Sequence, residues 1–324
     1  MAAPNKPIVV VGSINIDLVS NAERIPFEGE TITGTGFQTH PGGKGANQAV
    51  AVARLGYPVR MIGRLGDDAF GHQLRDSLES TGVDASGVMT SPGTSGVAVI
   101  LVGKRGENSI VITPGANGFL TPQDLDEKIE IIRSAGLVLT QLEIPLGTVL
   151  HLSEICKRES VPLILDPAPA AHLPPALFRN ITWFTPNETE AAFFASDSNR
   201  GSDIGDPAQA FAELIGKNGN HSIGIVLKLG ARGVYIVSPE GVAQSIDPFR
   251  VIAKDTTAAG DAFNGAFATG LMLGMGAIES ARFASAAAAV SVTRPGAQPS
   301  MPTMAEVDQL LNHDNRTVER SNSR

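Results

Sequence analysis

Pro7-Ile8-Val9-Val10-Val11-Gly12 is the stretch on which the fold turns. β-Branched residues between a proline and a glycine read as a buried strand, and the run is too short for a secretory hydrophobic core. Runs of the same kind recur at Val59 to Ile62, Gly136 to Leu139, Pro162 to Leu165, Trp183-Phe184, Ile223 to Leu229 and Gly233 to Val237. Between them, helical periodicity marks 47–55, 69–81, 122–134, 146–159 and 189–195. This alternation predicts an α/β fold with a mostly parallel sheet covered by helices on both faces. Ligands of such sheets gather at the carboxyl ends of the strands. Gly12 to Asp17, Glu143 and Asp166 to Pro169 all follow predicted strands and therefore belong at that rim.

Two stretches break the alternation. Leu18 to Gln38 and Thr94 to Ile112 hold short β-like pieces, and Val97-Val99-Leu101 has the period of a half-exposed strand. They read as surface hairpins beside one independent core, which spans 1–312. The remainder, 313–324, is polar and expected to fray.

With 324 residues, 42% hydrophobic and 18% charged, the chain can bury a large core. A net charge of −8 without a basic block argues against nucleic acid or an anionic membrane as partner. No stretch approaches the roughly 20 apolar residues of a membrane helix. The single cysteine, Cys156, excludes an intrachain disulfide and fits a reducing compartment, so a cytoplasmic location is expected. Cys156 lies in a helical pattern as a small buried thiol, and the histidines show no metal-ligand spacing.

Two segments carry chemistry. In Asp255-Thr256-Thr257-Ala258-Ala259-Gly260-Asp261-Ala262-Phe263-Asn264, small residues precede an acid and an apolar helix. Backbone N–H groups at a helix start favour an anion. An aspartate among such donors suits a general base that takes a proton from a hydroxyl while the amides of Ala258, Ala259 and Gly260 hold a transferred phosphoryl group. Alone, the segment reads equally as a helix with an N-terminal aspartate cap. The second is Thr39-His40-Pro41-Gly42-Gly43-Lys44-Gly45-Ala46-Asn47-Gln48-Ala49. It is not a Walker A loop, because glycine rather than Ser or Thr follows the lysine. Its glycines suit close approach of backbone to a small polar ligand, with Lys44 and Asn47 as donors. An ordinary strand-to-helix turn is the alternative.

Together these segments resemble the two signatures of the ribokinase (PfkB-type) carbohydrate kinase family. The resemblance runs from Val10 to Pro302 and includes Gly12-Ser13-Ile14-Asn15-Ile16-Asp17, Gly66-Asp67-Asp68, Gly115-Ala116-Asn117, Gln141-Leu142-Glu143, Asp166-Pro167-Ala168-Pro169-Ala170, Thr185-Pro186-Asn187-Glu188-Thr189-Glu190 and Arg294-Pro295-Gly296-Ala297-Gln298-Pro299-Ser300. It implies a three-layer α/β/α fold with a small β-sheet lid, formed by about 18–38 and 94–112, through which two subunits pair. It implies ATP-dependent phosphorylation of D-ribose at O5, with Asp261 as base and the 258–260 amides as anion hole. Asn15, Asp17, Gly43, Lys44, Asn47 and Glu143 would bind the sugar. Asn187 and Glu190 would organise Mg²⁺ and phosphate, and Lys228, Gly230, Gly233, Gly260 and Ser285 would line the nucleotide. Two residues depart from the family pattern: threonine is common where Lys228 stands, and histidine where Ser285 stands. An activating K⁺ is implied at Asp255, Thr257, Ser291, Arg294, Gly296 and Ser300.

Kinases of 2-deoxyribose, fructose or a nucleoside are alternatives within the family. A non-catalytic sugar sensor would typically have lost the Gly260-Asp261 pair or Asn187 and Glu190. A nicotinamide oxidoreductase is disfavoured, since the turn after the first strand holds only Gly12 of the glycines a dinucleotide motif requires.

Overall fold

A computed structural model describes residues 6–196 and 223–322. Its main sheet has nine strands in the order Ala243–Ile246, Val234–Val237, Gly224–Lys228, Trp183–Phe184, Leu163–Leu165, Leu137–Thr140, Ile8–Val11, Val59–Gly66 and Asp84–Ser91. Ile8–Val11 pairs in parallel on both sides, Val10 standing level with Met61 and Leu139. Only Val234–Val237 runs opposite to the rest, so its pairings with Gly224–Lys228 and with the edge strand Ala243–Ile246 are antiparallel.

Side chains alternate across the sheet, which gives three layers. Ile8 and Val10 pack with Ala46, Val50, Phe267 and Ala284, on the helices Lys44–Arg54, Ala259–Met272 and Ala277–Ser291. Val9 and Val11 pack with Leu125, Ile132, Leu152 and Ile155 on the opposite face. Cys156 is fully buried in that second layer.

The interrupted stretches form one separate sheet, in the order Gly36–Gly42, Asn15–Ala22, Gly96–Gly103 and Asn108–Thr113. It therefore begins before residue 18 and extends to Gly42 and Thr113. Asn15 and Asp17 lie on its second strand rather than in a loop after Ile8–Val11.

Other differences have local causes. The helix expected from Asn47 starts at Lys44, because Gly43 supplies the positive φ of 88° that turns the chain into it. The helix expected over 122–134 divides at Lys128, whose N–H is shared between the carbonyls of Asp124 and Leu125. The helix Met304–Asn322 runs past residue 313, where the polar tail is expected to begin. Val307 anchors that helix in the core with Leu310 and Leu311 packed behind it, and Arg282 pairs with Asp314 at 2.7 Å. The last two residues of the expected tail lie outside the described part. Among the described residues, no helix is long and apolar enough to cross a membrane.

The helices Lys44–Arg54 and Ala259–Met272 touch where Gly265 faces Gln48 and Ala51. A Cβ at Gly265 would stand 2.6 Å from the Cβ of Ala51 and 2.9 Å from the carbonyl oxygen of Gln48. Gly265→Ala is expected to force the helices apart and cost about 1–3 kcal/mol, the usual penalty of overpacking. The sole tryptophan, Trp183, meets the Phe267 ring edge-on at 5.0 Å, so its fluorescence in a denaturant titration reads the loss.

Candidate active site

The helix Ala259–Met272 begins from Ala258, held in left-handed geometry at φ 59°. The N–H of Ala259 donates to Thr256 O at 3.2 Å, and the helical ladder starts with Ala262 N–H to Ala258 O at 2.9 Å. The N–H groups of Gly260 and Asp261 are thus the orphan donors of this helix start. Of the three amides expected to form an anion hole, that of Ala259 is already engaged by Thr256 O, and that of Gly260 is open.

Asp261 is buried beneath these donors. Its Oδ2 accepts from Asn47 Nδ2 at 3.0 Å and its Oδ1 from Gln48 Nε2 at 3.1 Å. The same Gln48 nitrogen donates to Asp166 Oδ2 at 2.9 Å, and Lys228 Nζ lies 2.9 Å from Asp166 Oδ1. Gln141 Nε2 donates to Gln48 Oε1 at 2.6 Å, which fixes the direction of the whole amide chain. Asn47 Oδ1 is buried without a partner, an acceptor turned into the site.

The residues expected to bind the sugar converge here. Glu143 Oε2 accepts from Ser13 Oγ at 2.5 Å and from Lys44 N–H at 3.2 Å, so it also caps the helix Lys44–Arg54. Asn15 Oδ1 accepts from Asn117 Nδ2 at 2.7 Å, leaving its amide NH₂ to donate elsewhere. The Asp17 carboxylate occupies the space where a Cβ on Gly42 would stand, which explains glycine at that position.

Crowding of acids sets their protonation. Burial pushes Asp17 up to about 7, with Glu143 and Asp261 adding repulsion. Burial also raises Asp261 to about 6; Lys44 opposes the rise, Asp166 adds to it, and the Asn47 and Gln48 hydrogen bonds oppose it. For Lys44, burial favours the neutral amine, but Asp261, Asp166, Glu143 and Glu190 outweigh it and raise its pKa. Burial raises Glu190 as well, against the attraction of Lys228.

On the nucleotide side, Asn187 and Glu190 bond reciprocally. Glu190 accepts from Asn187 N–H at 2.7 Å and Nδ2 at 2.9 Å, and Glu190 N–H donates to Asn187 Oδ1 at 2.8 Å. The pair therefore serves as a helix cap whatever else it does. Lys228 adjoins it through a parallel bridge to Asn187. Gly230 and Gly233 take positive φ, 54° and 87°, around the turn that follows. The Ser285 hydroxyl donates to Ala281 O within its own helix at 2.9 Å, so it is spent locally.

The residues of the expected cation loop also meet. Asp255 accepts through Oδ1 from Thr257 N–H and Oγ, and through Oδ2 from Gly296 N–H at 2.8 Å, tying the two segments together. Burial acts to raise Asp255, but these hydrogen bonds prevail and hold its pKa below the ordinary value. The hydroxyls of Ser291 and Ser300 donate to Ala288 O and Ala297 O, and Arg294 pairs with Glu306 at 2.9 Å.

Four residues not singled out for site roles complete the network: Ser13, Gln48, Asn117 and Gln141. Asp166, expected only at the rim, joins them at its centre. A glutamine in the Ala-rich run Ala46 to Ala53 was the available signal for Gln48, since a polar residue amid a buried face needs a partner.

The model of the pfkB family carbohydrate kinases matches residues 5–304. The chain belongs to that family. It is 40% identical over 311 residues to a ribokinase of Haemophilus influenzae, covering 95% of this chain and 99% of that one. It is 37% identical over 307 residues to a deoxyribokinase of Salmonella typhimurium, covering 94% and 98%. Among solved structures, an Arabidopsis thaliana ribokinase complexed with ribose and ATP shares 38% identity at a TM-score of 0.85, covering 94% and 98%. This carbohydrate kinase thus has the three-layer fold and small second sheet expected of it.

Its buried acid at the helix start has a stability cost. An acid whose folded pKa lies above its unfolded value destabilises the fold once pH exceeds the folded value, and the cost vanishes below the unfolded value. For Asp261 the window runs from 3.8 to about 6. Asp261→Asn is expected to melt higher than the parent at pH 8, with the gap closing towards pH 4. The partnerless Asn47 Oδ1 would accept the new amide proton after a flip. Thermal melts of the ligand-free protein across that range check this.

Proposed function

We propose that the protein transfers the terminal phosphoryl group of ATP to O5 of D-ribose, giving D-ribose 5-phosphate, with Asp261 as general base. One observation carries this reading: both oxygens of Asp261 are held by neutral amide donors directly under the open N–H groups of Gly260 and its own backbone. A carboxylate near pKa 6 is ionised at neutral pH yet basic enough to share a hydroxyl proton in the transition state. The N–H groups and Lys44 would meet the charge on the transferred group.

The polyol finds matched partners. Asn15 and Lys44 donate, while Asp17, Glu143 and the Asn47 carbonyl accept; a buried hydroxyl needs both kinds. Identity to ribokinases over nearly the whole chain favours ribose. Deoxyribose is the second reading, favoured by a deoxyribokinase at 37% identity.

Mg²⁺ fits the nucleotide side. It keeps most of its water and takes one or two carboxylates beside substrate phosphates, which Glu190 with Asn187 would supply. When bound it neutralises charge on the nucleotide phosphates. K⁺ would sit at the loop 255–257 and 291–300, where an ionised Asp255 ties the two segments together and Gly296 takes φ 85°. The small sheet would act as the lid, and its exposed Phe37, Val99, Ile110, Val111 and Ile112 suit pairing with the lid of a second subunit. Burial of Cys156, which pushes its thiol up to about 12, fits a cytoplasmic protein that needs no disulfide.

ADP release with ATP, Mg²⁺ and K⁺ tests the reading across ribose, 2-deoxyribose, fructose and adenosine. Ribose is expected to turn over fastest, and Asp261→Asn to lower kcat about 10²–10⁴-fold. Preference for another acceptor would move the substrate and keep the base. Loss of kcat/KM on acidification is expected to involve two protons, one near pH 7 from Asp17 and one near pH 6 from Asp261, since both must be ionised. Gln48→Leu removes a hydrogen bond that lowers the Asp261 value, so its lower limb should move upward; a pH–rate profile reads both. Exchange of K⁺ for Na⁺ should lower turnover, and indifference to it would remove the cation from the mechanism.

A further inference from the structure

We propose that Lys228 is a catalytic cation of the phosphoryl transfer, held by Asp166 in the ligand-free protein and turned onto the transferred group when nucleotide binds. The inference rests on the phosphotransfer reading above and adds a catalytic residue to it.

The backbone of Lys228 is fixed. It ends the strand Gly224–Lys228, donates its N–H to Pro186 O at 2.9 Å and bridges to Asn187. Its side chain does not swing into solvent. It is 13% exposed and reaches Asp166, itself 3% exposed, at 2.9 Å. The same ammonium lies 3.6 Å from the point where a Cβ on Gly260 would stand, and nothing else beyond that helix start comes within 4 Å of the point. A phosphoryl group resting on the Gly260 and Asp261 amides would therefore lie close to the Lys228 ammonium.

Charge explains why the lysine waits where it does. Asp17, Glu143, Asp166, Glu190 and Asp261 crowd a site that holds Lys44 and Lys228 as counter-ions. An ammonium buried beside a carboxylate is costly to leave unpaired. A bound triphosphate offers a denser negative charge than Asp166, so the ammonium can change partners by rotating its flexible stem. Asp166 is not stranded by the exchange, because Gln48 Nε2 still donates to its other oxygen at 2.9 Å.

The chemistry balances without an added reagent. The sugar O5 forms its bond to the terminal phosphorus, the bond from phosphorus to the bridging oxygen of ATP breaks, and that electron pair leaves with ADP. The hydroxyl proton goes to Asp261. Lys228 keeps its protons and neutralises charge gathering on the transferred group and the leaving oxygen.

The test compares wild type, Lys228→Met, Lys228→Arg and the double variant Asp166→Asn/Lys228→Met, which removes the pair together and keeps the core free of an unpaired acid. Expected are a loss of about 10²–10³-fold in kcat for Lys228→Met, the range for deleting one preorganised donor to developing charge, a nearly unchanged KM for sugar, partial retention in Lys228→Arg, and no recovery in the double variant. In parallel, calorimetry with Mg²⁺ measures affinity for ATP against ADP, and the preference for ATP should fall at least about tenfold in both Met variants. Recovery of kcat in the double variant, or an ATP-to-ADP ratio untouched by either Met variant, would overturn the inference and reduce Lys228 to a partner of Asp166. If Lys228→Met fails to fold, the double variant carries the decision. If the wild type phosphorylates no acceptor, the phosphotransfer reading fails by itself, and the affinity ratio still decides whether Lys228 meets the terminal phosphate.

Discussion

Burial of several carboxylates around one short helix start is the constraint that shapes this protein. Asp261 cannot be moved out to water without losing its place beneath the Gly260 amide, and in the interior it feels Asp17 and Asp166 as well as Lys44. Neutral amides resolve much of the conflict. Gln48 gives one nitrogen to two carboxylates, while Gln141 and Asn47 hold the remaining positions. A cationic donor in place of Gln48 would bind the acids more strongly but depress the base; an amide orients it at little cost in basicity.

The packing of the outer helices follows from this need. Asn47 and Gln48 reach Asp261 only because their helix presses against Ala259–Met272 at Gly265. Their position along the helix is set in turn by its start at Lys44, where Gly43 turns the chain and Glu143 accepts the first N–H. The sheet below puts these parts in reach of one another, since the strands Ile8–Val11, Leu137–Thr140 and Leu163–Leu165 end side by side and deliver Ser13, Gln141, Glu143 and Asp166 to one rim.

Much of this was legible in the sequence where the signal was local. Short apolar runs marked the central strands, and small residues before an acid marked the helix start at Asp261. Pairing across the chain was not legible. Nothing near Asn117 points to Asn15, and nothing near Asp68 shows that its carboxylate both caps a helix and accepts from Ser95. Lys228 shows the limit most plainly: the family resemblance put it beside the nucleotide, but only the structure shows its ammonium turned to Asp166 rather than to solvent.

The joints of the small sheet couple sugar recognition to its position. Asn117 stands where the chain leaves that sheet, accepts the Ile14 N–H at 2.9 Å and donates to the side chain of Asn15 at the sheet's first residue. Asp68 fastens the other joint at Ser95, next to Gly96 where the third strand begins. Asn15 and Asp17 therefore stand on a platform whose two attachments are fixed by buried or half-buried hydrogen bonds. A sugar bound to both residues favours one placement of the whole sheet, and by linkage that placement favours the sugar. With Asp261 as the proposed base, the contacts that recognise the acceptor would then also be those that exclude water from it. For a phosphoryl transfer whose competing reaction is hydrolysis, this makes the presence of the right hydroxyl the condition for a closed site.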